Sequence, residues 1–224
     1  MADVAVAWSG GKDSALALHR VRQRDDVVVD RLVTTVAAEH ERVTIHGVRT
    51  DLLQAQADAL GVPVETVQLP PGYTRADHDT AMADTLKRLQ AEGIDAVVYA
   101  DIFLEDVRAD REEALHAAGL DGMWPLWNED TDQIADAFID AGFEARLVCV
   151  DTDQLDRSFA GRRYDRELLA DLPDGVDPCG EDGEFHTFVS GGPLFDDRLQ
   201  VRPGEQVVRE TDGGTMAYCD LVVD

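Results

Sequence analysis

The turn at residues 8–14 constrains the fold of this chain more than any other segment. An apolar stretch, Val4-Ala5-Val6-Ala7, runs into Trp-Ser-Gly-Gly-Lys-Asp-Ser, and a helical pattern follows from Ala15. Glycines let backbone N–H groups approach a ligand closely, and a helix N-terminus adds partial positive charge. Lys12 adds a full charge, Ser9 and Ser14 add hydroxyls, and Ser14 occupies the expected cap position. The segment therefore predicts a strand–turn–helix loop that holds phosphate groups.

The loop differs from the Walker A pattern, since G-x-x-x-x-G-K-[ST] is absent. The run S-G-G-K-D-S at 9–14 instead resembles the loop of the PP-loop ATP pyrophosphatases. That resemblance implies that ATP is cleaved between its α- and β-phosphates, with AMP passed to a substrate and pyrophosphate released. It assigns to ATP the residues Ser9, Gly10, Gly11, Lys12, Asp13 and Ser14. Asp13 is also the candidate ligand for Mg²⁺.

The charge of the chain is extreme and evenly spread. There are 46 acidic against 20 basic residues, a net charge of −26. Lys12 and Lys87 are the only lysines. Acidity without a single acidic tail favours a protein kept soluble in high salt, as in a halophile, over an acidic face for a basic partner. It argues against broad nucleic-acid binding, which needs basic patches.

The first half of the chain alternates strand-like and helix-like patterns. Strands are predicted at 4–7, 27–36, 64–69 and 96–99, and helices at 50–60, 77–92 and 107–118. Repeated β-α units with apolar strands predict an α/β fold, with a doubly wound, mostly parallel, Rossmann-like sheet. Ligands of such sheets lie at the carboxyl ends of the strands, where the 9–14 loop and Asp101 are both expected. Asp101 is therefore a candidate for the ATP side.

Composition changes near Met123-Trp124-Pro125-Leu126-Trp127. The remainder predicts a helix at 131–141 and strands at 145–150, 185–190, 206–209 and 216–223. We therefore expect an ATP-binding domain at 1–127 and a smaller C-terminal α+β domain for the substrate at 128–224. The start of the chain lacks the basic and apolar regions of a signal peptide, and no apolar run approaches ~20 residues, so the cytoplasm is expected.

The three cysteines, Cys149, Cys179 and Cys219, form no C-x-x-C pair, which disfavours a zinc or redox site. Cys179 belongs to a second unusual segment, D-P-C-G-E-D-G-E-F-H-T-F at 177–188. Its carboxylates suit Mg²⁺ or an ammonium group, and His186 suits proton transfer near neutral pH. In isolation, an acidic hairpin turn is the simpler interpretation.

The run G-E-D-G-E-F-H-T-F, followed by G-P-L-F at 192–195, is similar to the G-E-N-G-E-[FY]-H-T motif of the diphthine–ammonia ligase family. P-L-W at 125–127, His46-Gly47, Gln56 and G-V-P at 61–63 agree with it. Asp182 stands where that family usually has asparagine. The resemblance spans nearly the whole chain. It implies that the carboxylate of diphthine, a modified histidine on translation elongation factor 2, is adenylated by ATP with Mg²⁺ and then amidated by ammonia.

The resemblance also implies roles for individual residues. The loop carboxylates and the histidine belong to the substrate or ammonia side, with Lys12 acting on the phosphates. The predicted catalytic residues are Lys12, Glu181, Glu184 and His186. The predicted substrate-binding residues are Arg108, Thr187 and His46, and Arg108 could bind either a substrate or a phosphate anion. For Arg108 a surface ion pair on a helix, and for His46 a packing role, are equally good interpretations.

Three other functions compete with this interpretation. Details around residues 8–11, 103–108 and 176–180 look closer to a branch of related proteins that adenylate another acceptor. A tRNA-modifying enzyme is disfavoured because paired catalytic cysteines and a basic extension are missing. A nucleotide sensor without turnover is disfavoured because both motifs are intact. Without a recognisable glutaminase domain, free ammonium is the expected nitrogen donor.

Overall fold

A computed structural model describes residues 1–38, 42–43, 47–211 and 214–223. The helices are α1 (Lys12–Arg22), α2 (Thr50–Leu60), α3 (Arg75–Ala91), α4 (Glu105–Ala118), α5 (Thr131–Asp140) and α6 (Arg166–Asp171), with a 3₁₀ turn at Arg157–Phe159. The strands are β1 (Ala2–Ala7), β2 (Val27–Ala37), β3 (Arg42–Val43), β4 (Val64–Leu69), β5 (Ala96–Val98), β6 (Asp121–Met123), β7 (Glu144–Asp151), β8 (Phe185–Gly191), β9 (Val201–Thr211) and β10 (Gly214–Val223).

The first sheet is the predicted parallel one. β1 pairs in parallel with β2 and β5, β4 pairs in parallel with β2, and β6 pairs in parallel with β5; the short β3 is antiparallel to β2. The chain therefore adds strands outward from β1 in one direction and then in the other. Such a reversal opens a crevice at the carboxyl ends of the two central strands. The 9–14 loop follows β1 and Asp101 follows β5, so both lie at this crevice.

Helices cover both faces of the parallel sheet, as a doubly wound fold requires. On one face, Leu86 and Leu89 of α3 and Leu115 of α4 pack with Val97. On the other, α1 and α2 contribute a larger cluster of buried apolar side chains. That cluster continues into the second sheet and α5. The α/β prediction is thus confirmed.

The second sheet has the strand order β8-β7-β10-β9 and is antiparallel throughout. With α5 and α6 it forms the expected α+β part. Strand β8 contacts α1 at its outer edge. The predicted boundary at residue 127 falls in the connection between β6 and α5. No helix within the described residues is long and apolar enough to cross a membrane.

Candidate active site at the junction of the two sheets

The 9–14 loop contains the tight turn that its glycines predict. Gly10 has φ +79°, the left-handed region that favours glycine. Gly11 is the residue before the first turn of α1, and no side chain caps that helix. The prediction that Ser14 is the cap is wrong. Ser14 is the third residue of the helix, where its hydroxyl donates to the Gly11 carbonyl at 2.9 Å and lies 3.2 Å from the Ser9 hydroxyl.

The loop is fastened to strand β8 of the other sheet. The Val189 amide donates to the Gly10 carbonyl at 2.9 Å. The Lys12 amide donates to the Thr187 hydroxyl at 3.0 Å, a contact between residues 175 positions apart in the chain. Thr187 is predicted to bind substrate; the structure places its hydroxyl against the backbone of the 9–14 loop. The C-terminal sheet therefore helps to shape this turn.

Gln56 on α2 completes this attachment, although it is not among the predicted site residues. Its side chain is fully buried. Its amide nitrogen donates to the carbonyls of Gly10 at 3.0 Å and Val189 at 2.6 Å, and its oxygen accepts from the Trp8 indole at 3.1 Å. The sequence signal for its role is that this polar residue lies on the buried side of α2, together with the apolar residues Leu52, Leu53 and Ala57.

The amides of Asp13 and Ser14 are available for an anion at the start of α1. The Lys12 amide is taken by Thr187 and the Gly11 amide by the Ser9 hydroxyl at 3.2 Å. Within the described residues, the amides of Asp13 and Ser14 donate to no protein acceptor. First-turn amides of a helix have no partner inside the helix and carry its partial positive charge. They are suited to oxygens of a phosphate group.

Lys12 is the buried cation of the site, with 2% of its surface exposed. Its ammonium contacts both Asp13 oxygens at 2.7 Å and donates to the Cys179 carbonyl. The ring centres of Tyr164 and Phe185 lie 5.7 and 5.9 Å from the Lys12 ammonium nitrogen. Burial alone lowers the pKa of Lys12, but the Asp13 carboxylate and more distant acids outweigh it and raise that pKa. Lys12 is therefore charged at neutral pH.

The acidic loop at 177–184 is folded around two of its own carboxylates. Asp177 accepts the Cys179 amide at 2.7 Å and the Thr131 hydroxyl at 2.7 Å. Glu184, 1% exposed, accepts the amides of Asp177 at 2.7 Å and Asp182 at 3.0 Å. Tyr164 donates its hydroxyl to the Pro178 carbonyl at 2.7 Å. Both carboxylate oxygens of Glu184 thus face the loop backbone.

Glu181 is the carboxylate of the 177–184 loop that interacts with the 9–14 loop, through the charges of Asp13 and Lys12. Its carboxylate accepts a long hydrogen bond, of 3.4 Å, from the amide of Ile102, which is the residue directly after Asp101. Burial, followed by repulsion from Asp13, raises the pKa of Glu181 to about 7. Burial also raises the pKa of Asp101, and Asp13 adds to the rise. The carboxylates of Asp13, Asp101 and Glu181 therefore share one electrostatic environment.

Asp101 is held from the α4 side. Arg111 pairs with its carboxylate and the Trp124 indole donates to it at 3.3 Å. The Arg111 guanidinium also lies over the Tyr99 ring, at 4.4 Å. Asp101 is thus fixed in orientation at the carboxyl end of β5, as its position after a central strand predicted.

The remaining predicted residues differ in their placement. Burial, followed by the Lys12 charge, lowers the pKa of His186 to about 4, so its imidazole is neutral at pH 7 rather than titrating near it. Arg108 pairs with Glu112 at 2.7 Å, which is the surface ion pair that was one of its two interpretations from the sequence. Its guanidinium also contacts the rings of two tryptophans. His46 lies outside the described residues.

No group of three or more His, Cys, Asp or Glu side chains in the described parts of the chain is arranged to hold a metal ion on its own. A cavity of ≈ 410 Å³ lies instead beside α2, between Thr50, Val36 of β2 and Gln68 of β4. Among the predicted site residues that the structure describes, none lines it. The reactive groups thus converge on the turn at 9–14 and not on that cavity.

Cys179 is expected to be dispensable for the reaction. Its thiol is buried, contacts the Thr131 carbonyl at 3.4 Å, and has a pKa raised to about 12 by burial, so the thiolate is absent at neutral pH. Its contribution to Lys12 is a backbone carbonyl, which substitution keeps. Cys179→Ser should therefore retain kcat within about threefold. A loss above about 10²-fold in steady-state turnover, with an unchanged melting temperature, would show that the sulfur itself reacts.

Comparison with known proteins agrees with this site. The diphthamide synthase N-terminal domain matches residues 2–121, and the diphthamide synthase C-terminal domain matches residues 130–220. A diphthine–ammonia ligase of Danio rerio is 26% identical over 91% of this chain and 88% of its own length. One of Schizosaccharomyces pombe is 25% identical over 92% of this chain but only 37% of its own length.

Among solved structures, a predicted subunit of a tRNA methyltransferase from Methanocaldococcus jannaschii covers 86% of this chain at 17% identity, with a TM-score of 0.48. A likeness of that size carries no argument about function. The two domain matches cover both sheets and both motifs of the site. This chain belongs to the diphthamide synthase family.

Proposed function

We propose that this protein is an ATP-dependent ligase that converts diphthine on translation elongation factor 2 to diphthamide, with ammonia as nitrogen donor and AMP and pyrophosphate as products. One observation carries the proposal. Lys12 of the ATP loop contacts the carbonyl of Cys179, and Thr187 accepts the Lys12 amide, so the two motifs form a single site. Family membership supports the same reaction, since the relatives above are diphthine–ammonia ligases.

The chemistry requires two steps. A carboxylate repels nucleophiles because of its charge. In the first step its oxygen attacks the α-phosphorus of ATP, the bond to the β-phosphate oxygen breaks, and pyrophosphate leaves with that electron pair. In the second step ammonia attacks the acyl carbon, AMP leaves, and the surplus proton passes to a base. The product is an amide.

The ATP loop supplies the groups that the first step needs. Negative charge develops on the departing pyrophosphate, and fixed donors in a buried site stabilise such charge effectively. The Lys12 ammonium and the amides of Asp13 and Ser14 provide a full and a partial positive charge there. Lys12 must exchange part of its contact with Asp13 for phosphate oxygens when ATP binds.

Magnesium fits the Asp13 carboxylate at the mouth of the loop, whose side chain is 24% exposed. Asp13 is the side chain that would hold it, together with phosphate oxygens, because hard oxygen donors suit Mg²⁺. When bound, the ion neutralises charge on the phosphates.

Glu181 is the best-placed base for the second step. Ammonium must lose a proton before it can attack, and a carboxylate with a pKa near 7 both binds cations and accepts protons. His186 lies on β8 and its imidazole is neutral. Glu184 accepts hydrogen bonds from the backbone of the loop that carries Glu181 and so fixes that loop. Cys179 contributes only its carbonyl to this arrangement.

Glu181→Gln is expected to lower turnover by about 10²-fold well above pH 7, with a smaller effect below it. The ionised carboxylate is the active form, so the wild-type advantage should rise with pH and level off above a pKa of about 7. Ammonia itself increases with pH in both enzymes, so the ratio of wild-type to variant rates at each pH is the informative measurement. Asp182→Asn, a change at the exposed neighbouring carboxylate, is the control. A pH-independent ratio would remove Glu181 as the base.

The reaction itself is tested with purified protein in high KCl with ATP, Mg²⁺, isotopically labelled ammonium and diphthine-bearing elongation factor 2. AMP, pyrophosphate and labelled amide on the factor are expected. Factor carrying unmodified histidine is the control and should stay unlabelled. ATP binding without labelling of the factor would contradict the proposed acceptor and favour another carboxylate substrate, as in the related branch considered above.

Two further expectations belong to this proposal. The net charge of −26 suits an enzyme that works in the high-salt cytoplasm of a halophile. Activity should therefore persist at salt concentrations that screen ordinary surface ion pairs. The proposed substrate, elongation factor 2, acts in translation, so we expect this protein in the cytoplasm.

A further inference from the structure

Arg108 lies against two of the three tryptophans of the chain. Its guanidinium carbon is 4.5 Å from the ring centre of Trp124 and 4.5 Å from that of Trp127. Guanidinium groups over indole faces are held by cation–π attraction and by stacking of planar surfaces. The side chain is therefore fixed in orientation although 29% of it is exposed.

This cluster is joined to the reactive carboxylates. Trp124 stacks on Tyr99 with ring centres 5.8 Å apart and donates to Asp101 at 3.3 Å. Its ring fills the place that a side chain at Gly122 would need, since a Cβ there would meet it at 2.2 Å. The indole that supports Arg108 thus also supports Asp101 at the end of β5.

The two terminal nitrogens of the Arg108 guanidinium are available to bind an acceptor. Arg108 donates through Nε to Glu112 at 2.7 Å, and no acceptor in the described residues bonds its Nη atoms. The other arginine of this face, Arg111, is already paired with Asp101. In a chain with 46 acidic residues, a fixed donor pair beside the reaction centre is an unusual feature. Its planar geometry matches a carboxylate, which can accept two parallel hydrogen bonds.

The surroundings suit a protein-borne ligand. Phe103 and Leu104, directly before α4, are 37% and 36% exposed and belong to the few large apolar side chains on the surface. Exposed apolar residues beside a polar anchor are typical of sites where another protein docks. ATP, in contrast, already has the loop at 9–14 for its phosphates.

We infer that Arg108, clamped by Trp124 and Trp127, binds the carboxylate of the acceptor and orients it toward the ATP loop, with Phe103 and Leu104 receiving the protein around it. The inference rests on the proposed function. It makes Arg108 a determinant of acceptor binding and not of ATP binding. The ligand is an oxyanion, so a phosphate of ATP is the competing source and the test separates the two.

The test uses the full chain and a tryptophan-free peptide that carries diphthine, with binding followed by the protein's own tryptophan emission. Trp124 and Trp127 both touch Arg108, so loss of a contact at the guanidinium changes their surroundings. Arg108→Met should weaken peptide binding by about 10-fold or more and leave ATP binding within about twofold. Arg108→Lys should recover only part of the affinity, because lysine cannot form the planar pair.

Arg88→Met is the control: Arg88 is an exposed arginine on the neighbouring helix α3 that pairs with a glutamate four residues later, Glu92, and also with Glu65. Melting temperatures show whether each variant is folded. Equal peptide binding by wild type and Arg108→Met would overturn the inference and leave the proposed function standing. Weaker ATP binding with unchanged peptide binding would assign Arg108 to the nucleotide and also overturn it. Failure of the wild-type protein itself to bind or amidate the peptide would contradict the proposed function.

Discussion

Lys12→Ala is expected to lower the rate of pyrophosphate release by about 10² to 10³-fold, the usual cost of removing one donor that stabilises transition-state charge. The ammonium is buried and lies between Asp13 and the Cys179 carbonyl, where no water can replace it at the same strength. Removing it also leaves the carboxylates of Asp13 and Glu181 without a neighbouring positive charge. These carboxylates then repel the phosphates of ATP more strongly, so the free energy of ATP binding becomes less favourable. Release of labelled pyrophosphate measures the effect directly.

Lys87→Ala is the matched control, because Lys87 is the only other lysine and is exposed on α3. It should release pyrophosphate at the wild-type rate. Both variants should be compared at equal saturation with ATP, so that a change in binding is not mistaken for a change in rate. If Lys12→Ala released pyrophosphate as fast as Lys87→Ala, the ATP loop would have another role.

Gln56→Leu is expected to lower the free energy of unfolding by about 2–4 kcal/mol, because buried groups that lose a hydrogen-bond partner keep their full desolvation cost. The groups affected are the carbonyls of Gly10 and Val189 and the indole of Trp8. Because Gly10 belongs to the ATP loop, the Kd for ATP should rise as well. Chemical denaturation and nucleotide titration measure the two effects separately.

Gln54→Leu makes the same exchange two residues away on the same helix, where the side chain is exposed and bonds only to Asp58. It should change stability by less than about 0.5 kcal/mol and leave ATP binding unchanged. A Gln56→Leu protein as stable as Gln54→Leu would mean that the loop is held without the glutamine. A destabilised protein with normal ATP affinity would limit Gln56 to a structural role.

The sequence predicted those parts of the site whose geometry follows from local rules. Gly10 and Gly11 require a turn, and a turn between a strand and a helix places backbone amides at one point. Asp101 follows a central strand, so its position at the same edge as the loop follows from parallel strand order. These inferences need only neighbouring residues and the sheet type.

Contacts between distant segments were beyond such rules. That Thr187 accepts the Lys12 amide, and that Glu184 folds its own loop, depends on how β8 lies against α1. The short strands β3 and β6 escaped notice because two or three residues show no periodicity, and β6 contains Gly122 and Asp121, which are uncommon in strands. Gly122 is explained only by the Trp124 ring packed over it.

The attachment of the ATP loop to β8 also sets the order in which the site is completed during synthesis. A ribosome makes the 9–14 loop before it makes β8, and segments nearer the N-terminus generally begin to fold before later ones are made. Thr187, however, is translated 175 residues after Lys12, and Val189 follows it. The nascent N-terminal half therefore cannot acquire the final shape of its nucleotide loop, and a chain that stops before β8 binds no ATP in the productive geometry. The loop is thus translated early relative to β8 but reaches its final shape only when β8 is in place.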